Sequence, residues 1–104
     1  MKVNSKVLQF EWDSGNSNKN KLKHAVEDWE CEEVFFDQKK VILMDRLHSG
    51  AEERFIILGK TKLNRLLYLA LTVRNEKVRI ISARDIKKRK EIELYEKASQ
   101  STKI

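Results

Sequence analysis

From Val7 to Trp12 the chain alternates Leu8, Phe10 and Trp12 with Gln9 and Glu11, the period-two pattern of a strand with one buried face. Asp13-Ser14-Gly15-Asn16-Ser17-Asn18 ends that pattern and supplies several side chains able to cap a helix. A short helix is predicted through Lys19 to His24, with little apolar content beyond Leu22. Val26 to Phe36 reads as a second helix. Glu27 or Asp28 can cap it, Glu30, Glu32 and Glu33 suit its early turns, and Trp29, Val34 and Phe35 give it apolar contacts. Four strand candidates come next, at 41–45, 54–59, 66–74 and 77–82. Their links are short, with Gly50, Gly59 and Asn75-Glu76 in or beside them, and consecutive strands so joined form an antiparallel meander, because parallel strands need long crossovers. A final helix is expected from about Arg84 to Lys97, followed by a frayed tail from Ser99 to Ile104.

The order of elements describes an α+β fold: strand, helix, helix, a four-stranded antiparallel meander, helix. Two helices should pack on one face of a twisted sheet and leave the other for the last helix or a ligand. The strand at 66–74 supports two unlike faces. Leu67, Leu69, Leu71 and Val73 share one side, whereas Tyr68, Thr72 and Arg74 share the other, which is too polar for a pure core.

Length allows a single domain over the 104 residues, with its core at about 7–97 and a tail at 98–104. Lys plus Arg outnumber Asp plus Glu by 22 to 16, a net charge of +6, and that excess favours nucleic acid or an acidic protein as partner. Leu66 to Leu71 is the longest apolar run, far short of the roughly 20 residues of a membrane helix. The first six residues lack the apolar stretch of a secretion signal. One cysteine excludes an internal disulfide, and with two distant histidines it gives no metal-ligand spacing. A cytoplasmic protein without cofactor, metal or membrane attachment is expected.

The segment from Lys77 to Lys90 adds the first hint of chemistry. Val78, Ile80 and Ile81 favour a strand, Ser82 can cap the following helix, and Arg84, Lys87, Lys88, Arg89 and Lys90 load its start with positive charge. Cations there oppose the helix dipole by roughly 0.3–1 kcal/mol each. Acids would serve stability better, so an anionic partner is implied.

Several segments, in order, resemble the BrnT family of bacterial toxins, the ribonuclease halves of BrnT/BrnA toxin–antitoxin pairs. They are Phe10-Glu11-Trp12-Asp13, Asn20 through Lys23-His24, and Glu30 to Asp37; then His48-Ser49 with Glu52-Glu53-Arg54, Gly59, Ile80 through Arg84, and Tyr95. Together they span about residues 8–96. The resemblance implies a compact fold similar to the RelE toxins and endoribonuclease activity. It also implies neutralisation by a BrnA-like ribbon-helix-helix antitoxin, in a two-plus-two complex that binds operator DNA. Ala25 departs from the family, which usually has glycine after the histidine, and Asp28 and Trp29 are unusual at the start of the second helix.

RNA can be cut without a metal if a base takes the 2′-hydroxyl proton, cations stabilise the phosphorane-like transition state, and a donor protonates the leaving 5′-oxygen. His24 suits proton transfer, its ordinary pKa of about 6.5 lying near neutral pH. Lys23 beside it can hold a phosphate. Arg54 and Arg84 offer planar forks that match phosphate oxygens. Ser82 and free amides at a helix start can bind a phosphate, and Arg79, Lys87 and Lys88 would extend the RNA-binding surface. Because they are the polar members of the matching segments, His24, Arg54 and Arg84 are the expected catalytic residues.

Each also has a plainer reading. His24 can serve as a dipole partner at a helix C-terminus. Arg54 can anchor an acid across the sheet, and Arg84 can pair with Asp13 or Glu11. The lysines can be solvated surface, Cys31 a small core residue, and Trp12 and Trp29 packing residues. His48 has no evident partner. An RNA- or antitoxin-binding module without activity, serving operon repression, is the alternative function, although neither an aromatic-rich RNP motif nor a GXXG loop is present.

Overall fold

Alternation along two long strands fixes where the core lies in the computed structural model, which describes residues 9–45, 50 and 52–101. The elements in chain order are β1 (Gln9–Phe10), α1 (Lys19–His24), α2 (Asp28–Phe35), β2 (Val41–Met44), β3 (Arg54–Lys60), β4 (Leu66–Arg74), β5 (Lys77–Asp85) and α3 (Arg89–Ser101). They build an α+β fold on one five-stranded sheet of order β1-β5-β4-β3-β2. The four strands from β2 to β5 form the expected antiparallel meander, and β1 adds to its edge parallel to β5. Asn75 and Glu76 join β4 to β5, both at positive φ, as a two-residue hairpin turn requires.

One face of the sheet carries Leu67, Leu69, Leu71, Phe55, Ile57, Val78, Ile80 and Ala83 against Val26, Cys31, Val34 and Phe35, all buried. Burying each large side chain stabilises the fold by about 1.5–3 kcal/mol. Gly59 brings α2 very close to the sheet: a Cβ there would lie 2.9 Å from Val34 Cγ1 and 3.1 Å from Val34 O. The opposite face is only partly covered. There α3 sets Ile92 and Tyr95 against Leu58, Ile86, Val41, Ile56, Leu66 and Tyr68, and the Tyr95 hydroxyl donates to Asp37 at 2.7 Å.

The sequence placed the end of β5 wrongly. The strand does not stop at Ser82 but runs to Asp85, and α3 begins at Arg89 instead of Arg84. Ser82 is therefore a strand residue facing Ala70, not a helix cap. Arg84 is also in the strand, and Lys87 and Lys88 lie in the link before the helix. The hydrogen bonds that continue the β4–β5 ladder from Ser82 to Asp85 outweigh the weak local preference of one serine for a cap. At its other end α3 extends past Lys97 to Ser101. Val7 and Leu8 of the first strand, His48 and Ser49, and residues 102–104 of the expected tail lie outside the described residues.

Candidate functional site

Two asparagines seat α1 on the sheet. Asn20 is buried and its Oδ1 accepts the Ala83 N–H at 2.8 Å. Asn16, also buried, donates from Nδ2 to Ile80 O at 3.0 Å and to Glu11 O at 2.8 Å. These bonds bring the C-terminal end of α1 to the C-terminal end of β5. A cleft of about 420 Å³ opens where they meet, lined by His24, Arg84, Asp85, Lys87 and Lys88. Four of the expected functional residues thus converge from two distant parts of the chain.

A bulge in β5 decides which of its candidate side chains share a face. Leu71 pairs with Ile80 and Ala70 with Ser82, so Ile81 is the extra residue. Side chains alternate along a strand, and without the bulge Arg79 and Ser82 would face opposite ways. With it, Arg79, Ser82 and Arg84 follow one another on a single face, opposite Thr72, Ala70 and Tyr68. Arg54 of β3 lies on that face too, across Thr72 from Arg79. Thr72 is buried, and its hydroxyl has no hydrogen-bond partner among the described residues.

Arg84 stacks on Tyr68, its Cζ 4.0 Å from the ring centroid. Its guanidinium reaches Glu91 of α3 at 3.2 and 3.3 Å and the Asp85 carbonyl at 3.3 Å. Burial raises the Tyr68 pKa, and the Arg84 charge counters that shift only in part. Asp85 is the one acid among the described residues that line the cleft. Its carboxylate is held below the usual range chiefly by hydrogen bonds from Arg65, with Lys87 and His24 adding weaker attraction.

The remaining candidates are not part of the cleft lining. Lys23 is exposed on α1, Ser82 is exposed on β5, and Arg54 is half-buried on β3. Arg79 makes the ion pairs that the sequence suggested for Arg84: it meets Asp13 at 2.8 and 3.1 Å and Glu11 at 3.1 Å. The bond to Arg79 lowers the Asp13 pKa, and the bond to Asp13 raises that of Arg79. Cys31 is a core residue; burial pushes its thiol pKa up to about 12. Trp12 packs against the core and donates from Nε1 to Glu32 at 2.8 Å, whereas Trp29 is half-exposed.

Sequence reasoning missed Asp85 as a lining residue and Arg65 as its partner. The two pair through Nε–Oδ1 at 2.8 Å and Nη2–Oδ2 at 2.9 Å. Adjacent opposite charges would have signalled them, but here 20 positions separate the partners. Among the described residues, no group of three or more His, Cys, Asp and Glu side chains could hold a metal ion, and no helix is long and apolar enough to cross a membrane.

Cations of the 84–88 stretch around a cleft with a histidine from α1 can bind a phosphodiester and exchange a proton with a neighbouring hydroxyl. No curated protein matches the chain. The family model for the ribonuclease toxin BrnT of type II toxin–antitoxin systems matches residues 12–90, spanning every residue that lines the cleft. The chain therefore belongs to the BrnT family of ribonuclease toxins.

Proposed function

We propose that the cleft is an RNA-cleaving centre that works without a metal, with the substrate's own 2′-hydroxyl as nucleophile. The observation that carries this reading is the meeting of His24, Arg84, Lys87 and Lys88 at one cleft. His24 takes the 2′-hydroxyl proton as the 2′-oxygen attacks phosphorus. The P–O5′ bond then breaks, and the imidazolium returns its proton to the departing 5′-oxygen, leaving a 2′,3′-cyclic phosphate. Arg84 neutralises charge on the non-bridging oxygens, for which its fork is suited. Lys87 and Lys88 hold the flanking phosphates, while Arg54, Arg79, Ser82 and Lys23 extend the RNA track over the open sheet face and α1.

The antitoxin in this reading is a ribbon-helix-helix protein acting in the cytoplasm, with two copies of each chain per complex. A second groove, of about 770 Å³, supports a docking helix through its apolar side chains: Trp29 and Phe36 are half-exposed there, among both acids (Glu32, Glu33 and Asp37) and lysines (Lys39, Lys60 and Lys62). An amphipathic helix with apolar anchors and charges of both signs at its rim fits such a surface. The pairing of Arg84 with Glu91 favours the second reading, a binding module without activity, because Glu91 already occupies the fork.

Cleavage assays separate the two. His24→Ala and Arg84→Ala are expected to remain folded and to lose cleavage, by roughly 100-fold or more for the arginine. RNA carrying 2′-methoxy groups should bind but stay intact. Cleavage of that RNA at the normal rate would overturn the mechanism, and a wild-type protein that binds RNA but never cuts it would leave the binding module.

A further inference from the structure

Arg65 stands in the link between β3 and β4, outside the cleft lining, yet every N–H of its guanidinium is engaged. Nε and Nη2 take the two oxygens of Asp85 at 2.8 and 2.9 Å. Nη1 donates to Ala25 O at 2.9 Å and to both Glu30 oxygens at 3.1 and 3.2 Å, and Nη2 also reaches His24 O at 3.3 Å. Five donors meet acceptors on the end of α1, on α2 and on the end of β5. The base of the side chain is itself held. Arg65 N–H donates to Thr61 Oγ1 at 3.1 Å, and Arg65 O accepts from Thr61 N–H at 2.9 Å.

We propose that Arg65 is the positioning residue of the cleavage site, setting the distance and angle between His24 and Arg84. This rests on the proposed role of the cleft. Arg65 grips the carbonyl of His24 itself and the side chain of the residue after Arg84, so one rigid plane fixes both reacting groups. The ends of α1 and β5 would otherwise be joined mainly through Asn20. A planar fork is required: a lysine ammonium has three donors at one point and cannot span acceptors on three elements. Arg65 also supplies both side-chain hydrogen bonds of the Asp85 carboxylate, which leaves the Arg84 fork clear of that group.

The test is steady-state cleavage by Arg65→Lys, His24→Ala and the double variant, with binding of 2′-methoxy RNA and thermal melting measured alongside. Arg65→Lys should lower kcat by roughly 10- to 100-fold, since a displacement of about 1 Å costs that much, and should leave KM and RNA binding unchanged. The double variant should lose clearly less than the product of the two single losses, because part of what Arg65 does is to place His24. Independent, multiplying losses overturn the proposal. Should Arg65→Lys fail to fold, Glu30→Gln releases one anchor and keeps an acceptor; it should give a smaller fall in kcat that shrinks further in the His24→Ala background. An unchanged kcat in a folded Glu30→Gln then overturns it. Full activity of His24→Ala removes the reading of the cleft and this proposal with it. An inactive His24→Ala beside a fully active Arg65→Lys removes this proposal alone.

Discussion

Ala25 follows His24 with φ 55° and ψ 36°, in the left-handed region where a Cβ crowds the backbone. Its N–H still closes α1 on Lys21 O at 3.1 Å, and the Val26 N–H reaches Asn20 O at 3.1 Å. The helix can therefore end here only by forcing this residue into that conformation. Left-handed geometry costs an L-residue about 1–2 kcal/mol, part of which a glycine returns through its freer unfolded state. Ala25→Gly is thus expected to raise stability by about 0.5–1 kcal/mol, read as a higher denaturant midpoint with an unchanged slope. A lower midpoint would mean that Ala25 makes contacts worth more than its strain. The family's usual glycine at this position is explained by the same geometry, so a departure visible in the sequence marks a strained residue in the structure.

Strand and helix positions were legible wherever side-chain period and backbone agreed. Leu67, Leu69, Leu71 and Val73 face the main core as their alternation required, and Tyr68 and Thr72 face the other side. The end of β5 was not legible. Ser82 followed by basic residues looks like a capped helix, and an extra residue such as Ile81 leaves no mark in a strand-like run. His24, Arg84, Lys87 and Lys88 could be named from chemistry and resemblance, but Arg65 could not, because its partners on α1 and α2 lie 35 to 41 positions away. On the partly covered face α3 is held by Ile92 and Tyr95, by the Tyr95–Asp37 bond and by the Glu91–Arg84 pair. Burial, followed by the Asp37 bond and charge, raises the Tyr95 pKa well above its ordinary 10.0. A raised folded-state pKa contributes stability that is complete below about pH 10 and is lost as pH climbs toward the folded value. Tyr95→Phe should weaken this alkaline loss and speed hydrogen exchange in α3 at neutral pH, while exchange in β4 stays slow. Equal acceleration in both elements would show that α3 unfolds only with the whole domain.

Charge across the whole molecule is not spread evenly over its functions. Arg65, Arg79 and Arg84 are each paired with acids in the structure, whereas Lys87 and Lys88 are exposed beside the cleft. Long-range attraction for RNA should therefore reside largely in the lysines. Changing Lys87 and Lys88 together to Gln is expected to flatten the salt dependence of RNA binding by about 0.7 log units for each phosphate left without a cation. Melting should change little, because both side chains are exposed in the link that precedes α3 and bury no part of the core. An unaltered salt slope would assign RNA attraction to the opposite end of the sheet, around Arg54 and Arg79.

The parallel edge has a temporal consequence. Glu11, just beyond β1, meets Arg79 of β5 across 68 positions of chain, and the cleft likewise joins α1 to residues close to the last helix. Contacts between such distant segments form late, after the intervening loop has been closed. A chain emerging from the ribosome N-terminus first presents α1 and His24 long before β5 exists to receive them. In the proposed mechanism, therefore, no cleavage centre exists until β5 has been synthesised and paired. Under that same proposal, an antitoxin that binds the finished chain before this last edge closes would meet a protein that cannot yet cut RNA.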